Sequence, residues 1–493
     1  MQINQIFTVQ NLSHSELISL VPLFILAFGA ILSLISAPLK NIGHKASFFI
    51  SIVTLSLALF FSWLNVDAAE VNLLNGVLVL DNFTKSISLM LLLLAFIGCL
   101  LSFGKDKKEG MLAELYPLII FSTMGMILMT STMHLLFMFI ALEIMSLAIY
   151  VLVSMRRSSQ FSAEAGLKYF ILGGLASAIM LYGISLIFGS TGTFHLTQIN
   201  EFITARTEIP LLLFIGISLV TISLLFKVGI FPFHGWIADV YQGASSNITG
   251  FMGAAVKFTA FLAFARFAQN TIFIQTVPHM TYLKMFLGVT AALSMIYGNI
   301  VAISQNEIKR MLSYSTIAHS GYLLLGLYVL NIQDATYETL VLYLFFYAIA
   351  NLGIFGVISQ FENKNQKDLT LDDISGLGLK YPFYSTLFTV FLLSMAGIPL
   401  TAGFIGKYGL FSAAVNAGEV PLVVIAVLTS VISIYYYLRV IVYLFMKESG
   451  QSQTQFSNLK GASVAALISA FFTMQFGLFP RGIIELVRMF STK

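Results

Sequence analysis

The chain has 493 residues, of which 58% are hydrophobic and only 10% charged, with a mean hydropathy of +0.90. A soluble domain carries roughly 25% charged residues because its outside faces water, so this composition excludes a soluble protein and makes lipid the natural solvent. The net charge of +4 is spread over short basic clusters and builds no nucleic-acid surface. The lone cysteine, Cys99, lies inside an apolar run, which excludes a disulfide or an iron–sulfur cluster held by this chain alone.

In chain order, apolar runs of the roughly twenty residues that a bilayer requires fall near 17–38, 45–65, 81–103, 113–131, 133–154, 165–189 and 209–242. They continue near 246–269, 283–304, 310–330, 337–361, 382–416, 420–446 and 459–479. The expectation is an all-α polytopic membrane protein of about fourteen transmembrane helices. No Lys or Arg precedes Lys40, so the basic start of a secretion signal is missing and the first run reads as a membrane helix. Two runs, 209–242 and 382–416, are too long for one straight helix and carry Pro232 and Pro399 near their middles. Proline removes a backbone donor and clashes with the preceding turn, so each run is expected to be a broken helix. A lysine near each break points to an internal repeat.

The loops after odd-numbered helices hold fourteen Lys and Arg, and the opposite side holds six. By the positive-inside bias, both termini then face the periplasm of a bacterial inner membrane. The remaining six, Lys85, Lys168, Lys227, Lys257, Lys407 and Arg439, fall within or at the ends of spans. The longest polar connection, near 362–381, is a short one. With no soluble domain, the work of the chain lies inside the membrane, and no Gly-rich phosphate loop follows a strand.

A charge at bilayer depth costs at least a few kcal/mol, so it needs a partner, water or a task. Glu143, in FIALEIMSLA, sits near mid-depth. It fits either a structural ion pair with a lysine on another helix or a carboxylate on a proton path. Lys227 stands five residues before Pro232 and Lys407 eight residues after Pro399. Broken helices at membrane depth are tolerated where they line a hydrated cavity, and they mark ion sites in transporters. Gly397, Gly403 and Gly406 make the second break easy to unwind. Lys257 lies midway along its span, with Gly250 and Gly253 leaving room for another helix or water. Lysine suits proton relay because its pKa of about 10.4 falls by several units on desolvation and rises again beside a carboxylate. Arginine stays charged throughout. His319 fits both a hydrogen-bonded core residue and a titrating bridge between lysines. Lys168, one turn after Glu164, fits a plain i,i+4 pair. Asp239 and His234 flank Trp236 and would supply polar groups at a cytoplasmic inlet.

The stretches KVGIFPFHGWIADVYQGASS and GIPLTAGFIGKYGLF resemble the signatures of the antiporter-like subunits of respiratory complex I, the NADH-quinone oxidoreductase, and among these most resemble the N-type subunit. The resemblance implies two inverted five-helix repeats, at 111–270 and 281–447, each holding a broken helix. They would be preceded by three helices in 1–110 and followed by a last helix in 458–493. It also implies that Glu143, Lys168, Lys227, Lys257, His319 and Lys407 form a proton path driven by quinone reduction elsewhere. FMN, iron–sulfur clusters and quinone are then expected in other subunits and none in this chain. The expected partners are the adjacent antiporter-like subunit, the small membrane subunits and lipid, with no nucleic acid. A subunit of a multi-subunit Na+/H+ antiporter, of a membrane-bound hydrogenase, or a non-transporting membrane scaffold remains open on the same residues.

Overall fold

Lipid offers the backbone no hydrogen-bond partner, so a chain this apolar satisfies its peptide groups inside helices. The structure is a computed structural model that describes residues 14–40, 42–66, 70–104, 112–156, 159–274, 277–330, 335–362, 369–448 and 456–491. Of the basic residues used for orientation, Lys105, Lys107, Lys108, Arg157, Lys364, Lys367 and Lys493 lie outside the described residues.

The chain opens with α1 (His14–Ser36), α2 (Gly43–Leu64), a hairpin of β1 (Val71–Leu73) and β2 (Leu78–Leu80), and α3 (Asn82–Ser102). Next come α4 (Leu115–Ser131), α5 (Leu135–Val153), α6 (Gln160–Thr191), the short α7 (Leu196–Thr204), and the two pieces α8 (Leu211–Val228) and α9 (Ile237–Gly243). One continuous rod is built from α10 (Ser246–Phe251), a π-helical turn at Met252–Val256 and α11 (Lys257–Thr271). Then follow α12 (Pro278–Ser304), α13 (Ile308–Tyr328), α14 (Ala335–Phe361), the short α15 (Leu377–Lys380) and the pieces α16 (Pro382–Ala396) and α17 (Ala402–Asn416). The chain closes with α18 (Val420–Phe445), α19 (Lys460–Leu478) and α20 (Arg481–Ser491).

Among the described residues, eleven helices are long and apolar enough to cross a membrane. The expected count of fourteen is reached with α4, which has 17 residues, the pair α16–α17, and α13, which is long enough at 21 residues but rich in Ser, Thr and His. The outer helices α6 and α18 turn Phe161, Leu167, Phe170, Leu175, Val424, Leu428 and Val431 outward, the side that lipid would wet. The α10–α11 rod and α14 are buried all round, as the apolar circumference of α14 requires.

Small elements outside the bilayer run escaped the sequence reading. The hairpin pairs Val71 with Leu80 and Leu73 with Leu78, and turns through Leu74, Asn75 and Gly76, all at positive φ. Its alternating residues Val71, Leu73, Leu78 and Leu80 form a small core of their own. The Asn-Gly pair between alternating hydrophobics was the available signal. Beside the hairpin, the segments around His134 and His195 bridge through backbone bonds of 2.9 Å (Leu135 N–H to Phe194 O) and 2.8 Å (Leu196 N–H to Met133 O). His134 Nδ1 accepts the Phe137 N–H at 3.3 Å and so caps α5. Burial and the neighbouring His195 push the His134 imidazole below the ordinary histidine range, which keeps that nitrogen a bare acceptor. This end of the molecule is called the hairpin face below and the other end the far face.

Candidate functional site

Each broken helix places a lysine at the negative end of a half-helix. The carbonyls freed at the C-terminus of a helix carry partial negative charge and favour a cation. Helix α8 stops at Gly229, which takes the left-handed conformation (φ 72°) and donates its N–H to the Leu225 and Phe226 carbonyls. Lys227 lies in that last turn and is 3% exposed. Its ammonium donates to Ser146 Oγ and Tyr150 Oη of α5, both at 2.9 Å. The chain then folds back so that the Trp236 indole donates to the Phe226 carbonyl at 3.1 Å and stacks on Tyr169.

The second break follows the same logic with the lysine on the other piece. Helix α16 ends at Gly397, also left-handed (φ 84°). Lys407, in α17, reaches back to the freed Ala396 carbonyl at 3.1 Å and to Ser430 Oγ of α18 at 2.9 Å. Its ammonium stands 5.3 Å from the centre of the Tyr322 ring. A groove of about 480 Å³ between α17 and α18 leads to it from the outer surface, past Tyr408, Phe411, Val427 and Ser430. Pro232 and Pro399 themselves are exposed on the outside of the bundle, so the breaks turn lysines inward and prolines outward. Gly403 and Gly406 are not part of any unwound stretch. They lie inside α17, where a side chain would strike the Ser394 carbonyl and the Tyr343 ring.

Lys257 begins α11 straight after the π turn. Such a turn leaves a carbonyl out of the regular ladder, and Asn351 of α14 donates to the Gly250 carbonyl at 3.1 Å. Gly253 gives Asn351 its room, since a Cβ there would lie 2.4 Å from the amide nitrogen. Another helix, not an open space, fills the gap left by these glycines. Lys257 donates to the Thr316 carbonyl at 2.6 Å and lies over the Tyr347 ring.

Helix α13 joins these lysines. Ser320 Oγ donates to the Val228 carbonyl, next to Lys227, at 2.7 Å and also to the Thr316 carbonyl at 3.0 Å. That carbonyl is the one Lys257 holds. His319, 1% exposed, hydrogen bonds Tyr343 Oη through Nδ1 at 2.6 Å and Tyr437 Oη through Nε2 at 3.1 Å. Its ring touches those of Tyr347, beneath Lys257, and Tyr322, beneath Lys407. His319 therefore stands between the two lysines with both ring nitrogens engaged. Sequence reasoning missed Ser146, Tyr150, Thr316, Ser320, Tyr343, Tyr347, Ser430 and Tyr437. For α13 the signal was present in YSTIAHSGY, whose polar residues recur at helical spacing within a span.

Glu143 is half-exposed on the outward side of α5, and Ser177 of α6 donates to its carboxylate. It makes no ion pair among the described residues. Ser146, a partner of Lys227, stands one turn along the same helix. Lys168, Asp239 and His234 are not in the interior line. Lys168 pairs with Glu164 at 2.8 Å, as the i,i+4 spacing allowed, and with Asp239 at 2.9 Å. Arg310 reaches Asp239 at 3.3 Å and Gln242 at 2.9 Å. These bonds tie the short α9 to α6 and α13 at the far face. His234 packs against Phe231 and Tyr297, with Nδ1 unbonded among the described residues.

The fold and this line define a class: a polytopic membrane protein with two broken helices, whose buried lysines are strung across the middle of the bundle. Residues 132–433 match the family described as NADH:quinone oxidoreductase/Mrp antiporter, transmembrane, and the chain belongs to that family. Among its relatives is the "NADH-quinone oxidoreductase subunit N" of Trichlorobacter lovleyi, 37% identical over 489 residues and 98% of each chain. A chain of respiratory complex I from Thermus thermophilus, solved with bound aureothin, superposes with a TM-score of 0.79 at 32% identity, covering 94% of this chain and 98% of that one. A chain of the Mrp complex from a Dietzia species shares the fold, with a TM-score of 0.82 at 21% identity and 96% of each chain covered.

Proposed function

We propose that the chain is the proton-translocating N-type subunit of a bacterial NADH-quinone oxidoreductase, moving protons from cytoplasm to periplasm while other subunits carry out the redox chemistry. FMN, the iron–sulfur clusters and the quinone belong to those other subunits in this reading. The far face is the cytoplasmic side and the hairpin face the periplasmic side, with both termini periplasmic. Residues 111–270 and 281–447 act as two inverted repeats. Protons enter near Lys227, pass Lys257 and His319, and leave by way of Lys407. Glu143, on the outward side of α5, senses the charge of a neighbouring membrane subunit and sets that of Lys227 through Ser146. An adjacent subunit also covers the groove at Lys407.

The observation that carries this reading is the bonding of α13. One helix touches the surroundings of all three lysines, through Ser320, Thr316, His319 and Tyr322. A change of protonation at one lysine therefore re-sorts bonds that the next lysine uses. A non-transporting scaffold needs neither amines at half-helix ends nor a titratable ring between them.

Lys407→Arg in the assembled complex tests the proposal. Arginine keeps the charge but cannot release its proton. Proton pumping and quinone-coupled turnover are expected to be lost with assembly intact, and normal pumping would remove Lys407 from the path.

A further inference from the structure

The rod that carries Lys257 is gripped by α14 at two places, and rod and α14 are both buried all round. Four-residue spacing puts Tyr343, Tyr347 and Asn351 on one face of α14. Tyr343 Oη bonds His319 Nδ1 at 2.6 Å. Tyr347 bonds Thr316 Oγ1 at 2.9 Å through its hydroxyl, and the Lys257 ammonium stands 4.7 Å from its ring centre. Asn351, 2% exposed, donates from Nδ2 to the Gly250 carbonyl at 3.1 Å. A carbonyl can only accept, so the amide cannot be turned round. Two residues one turn apart on α14 thus hold opposite ends of the segment from Gly250 to Lys257, with the π turn Met252–Val256 between them.

A π turn holds one residue more than the α-helical turn it replaces. Both ends of the rod are pinned to α3 and its cap: Asn247 donates to Ser102 Oγ at 2.9 Å, and Arg266 pairs with Asp81 at 2.8 Å. The extra residue therefore stays within the rod, but the turn can sit at different places along it. Each residue of an α-helix turns about 100° round the axis. With the π turn behind Lys257 instead of in front, the lysine would swing by about that angle and leave the Thr316 carbonyl that it meets at 2.6 Å. The residues of the turn, MGAAV, do not fix its place, since two of them are alanine, the best helix former. Gly253, inside the turn, leaves the space that the Asn351 amide fills: a Cβ there would lie 2.4 Å from Nδ2.

We propose that Asn351 is a positioning residue for Lys257: by holding the Gly250 carbonyl it keeps the π turn in front of the lysine, and so keeps the ammonium on the Thr316 carbonyl and over the Tyr347 ring. The inference rests on the reading of Lys257 as a proton-carrying group. Asn351 touches no transferred proton and acts through the place it gives the lysine. That place matters because Ser320 bonds the same Thr316 carbonyl and the Val228 carbonyl beside Lys227.

The test measures proton pumping per assembled complex in membrane vesicles. Asn351→Leu keeps the bulk and removes the donor, and pumping is expected to fall by about tenfold with the amount of complex unchanged. Deleting Ala254 takes the extra residue out of the turn and leaves a plain α-helix with both flanks in place, so it is expected to pump near the wild-type rate. The two changes together are expected to pump like the deletion alone, since a rod without the turn has nothing left to hold. A mere packing role for Asn351 would leave the leucine loss in full. If the deletion does not assemble, a cryo-electron microscopy map of the Asn351→Leu complex decides, and is expected to show the Lys257 nitrogen beyond hydrogen-bond reach of the Thr316 carbonyl. If the leucine variant does not assemble, Gly253→Ala, which takes the space of the amide, replaces it. Wild-type pumping by Asn351→Leu, an assembled deletion that does not pump, a double variant as poor as leucine alone, or an unmoved Lys257 in the map would each overturn the positioning. Normal pumping by Lys257→Arg would instead overturn the proton path, so the two failures are told apart.

Discussion

The buried lysines differ in the company they keep, and that sets what each substitution does. Lys227 has two hydroxyl partners on one helix, Ser146 and Tyr150. A hydrogen bond to a charged group contributes about 1.5–3 kcal/mol, so Tyr150→Phe weakens the hold on the protonated amine while Ser146 keeps it in place. Proton translocation per complex is expected to fall by about tenfold, the rate factor for 1.4 kcal/mol, with the amount of assembled complex unchanged. Dye-followed acidification of vesicles against the quantity of complex measures both, and an unchanged rate would remove Tyr150 from the line. The charged residues were legible in the sequence because a charge in an apolar run has few bland explanations. Their hydroxyl partners were not, since Ser146 and Tyr150 look like ordinary residues of an apolar helix until the Lys227 side chain reaches them from α8. The ion pair that the sequence allowed for Glu143 is replaced by a serine contact.

At the scale of elements, the two breaks share a device, a left-handed glycine that ends a half-helix. At Gly229 a methyl group would meet Ile237 Cδ1 at 2.1 Å and force a left-handed conformation on a residue that resists it by about 1–2 kcal/mol. Gly229→Ala is therefore expected to lower the yield of assembled complex and shift its thermal inactivation downward, measured on solubilised membranes. Yield and inactivation equal to wild type would show that the break does not depend on this conformation. Both breaks were visible in the sequence as prolines in overlong apolar runs, but their orientation was not. The prolines face outward and the freed carbonyls inward, a matter of which side of the helix meets its neighbours. The π turn ahead of Lys257 left no local mark either, and the amide that bonds the carbonyl beside it, Asn351, sits on a helix about a hundred residues away.

For the whole molecule, hydropathy was enough to count the spans, since each must be apolar over the same thickness. Helix α13 shows how the rule bends: it is shielded by other helices and carries the polar spine, so it is legible as a span by length and position more than by apolarity. Helices α7 and α20 were not legible because no bilayer run passes through them, and the hairpin was marked only by its Asn-Gly turn. The proposed orientation has its own test. Cys99 is fully buried, so the native chain should resist a membrane-impermeant maleimide. Gly482, at the start of α20, has open space where a side chain would stand. Gly482→Cys is expected to be labelled in cells whose outer membrane alone is opened, and labelling only in inverted vesicles would reverse the assignment of faces.

The most direct measurement is a cryo-electron microscopy map of the assembled complex, sharp enough to show ordered water between the ionisable side chains. The account predicts water or hydroxyl groups within hydrogen-bond reach at every step from Lys227 through Lys257 and His319 to Lys407. Dry apolar packing across any of those steps, with the ammonium groups turned away from one another, would contradict it.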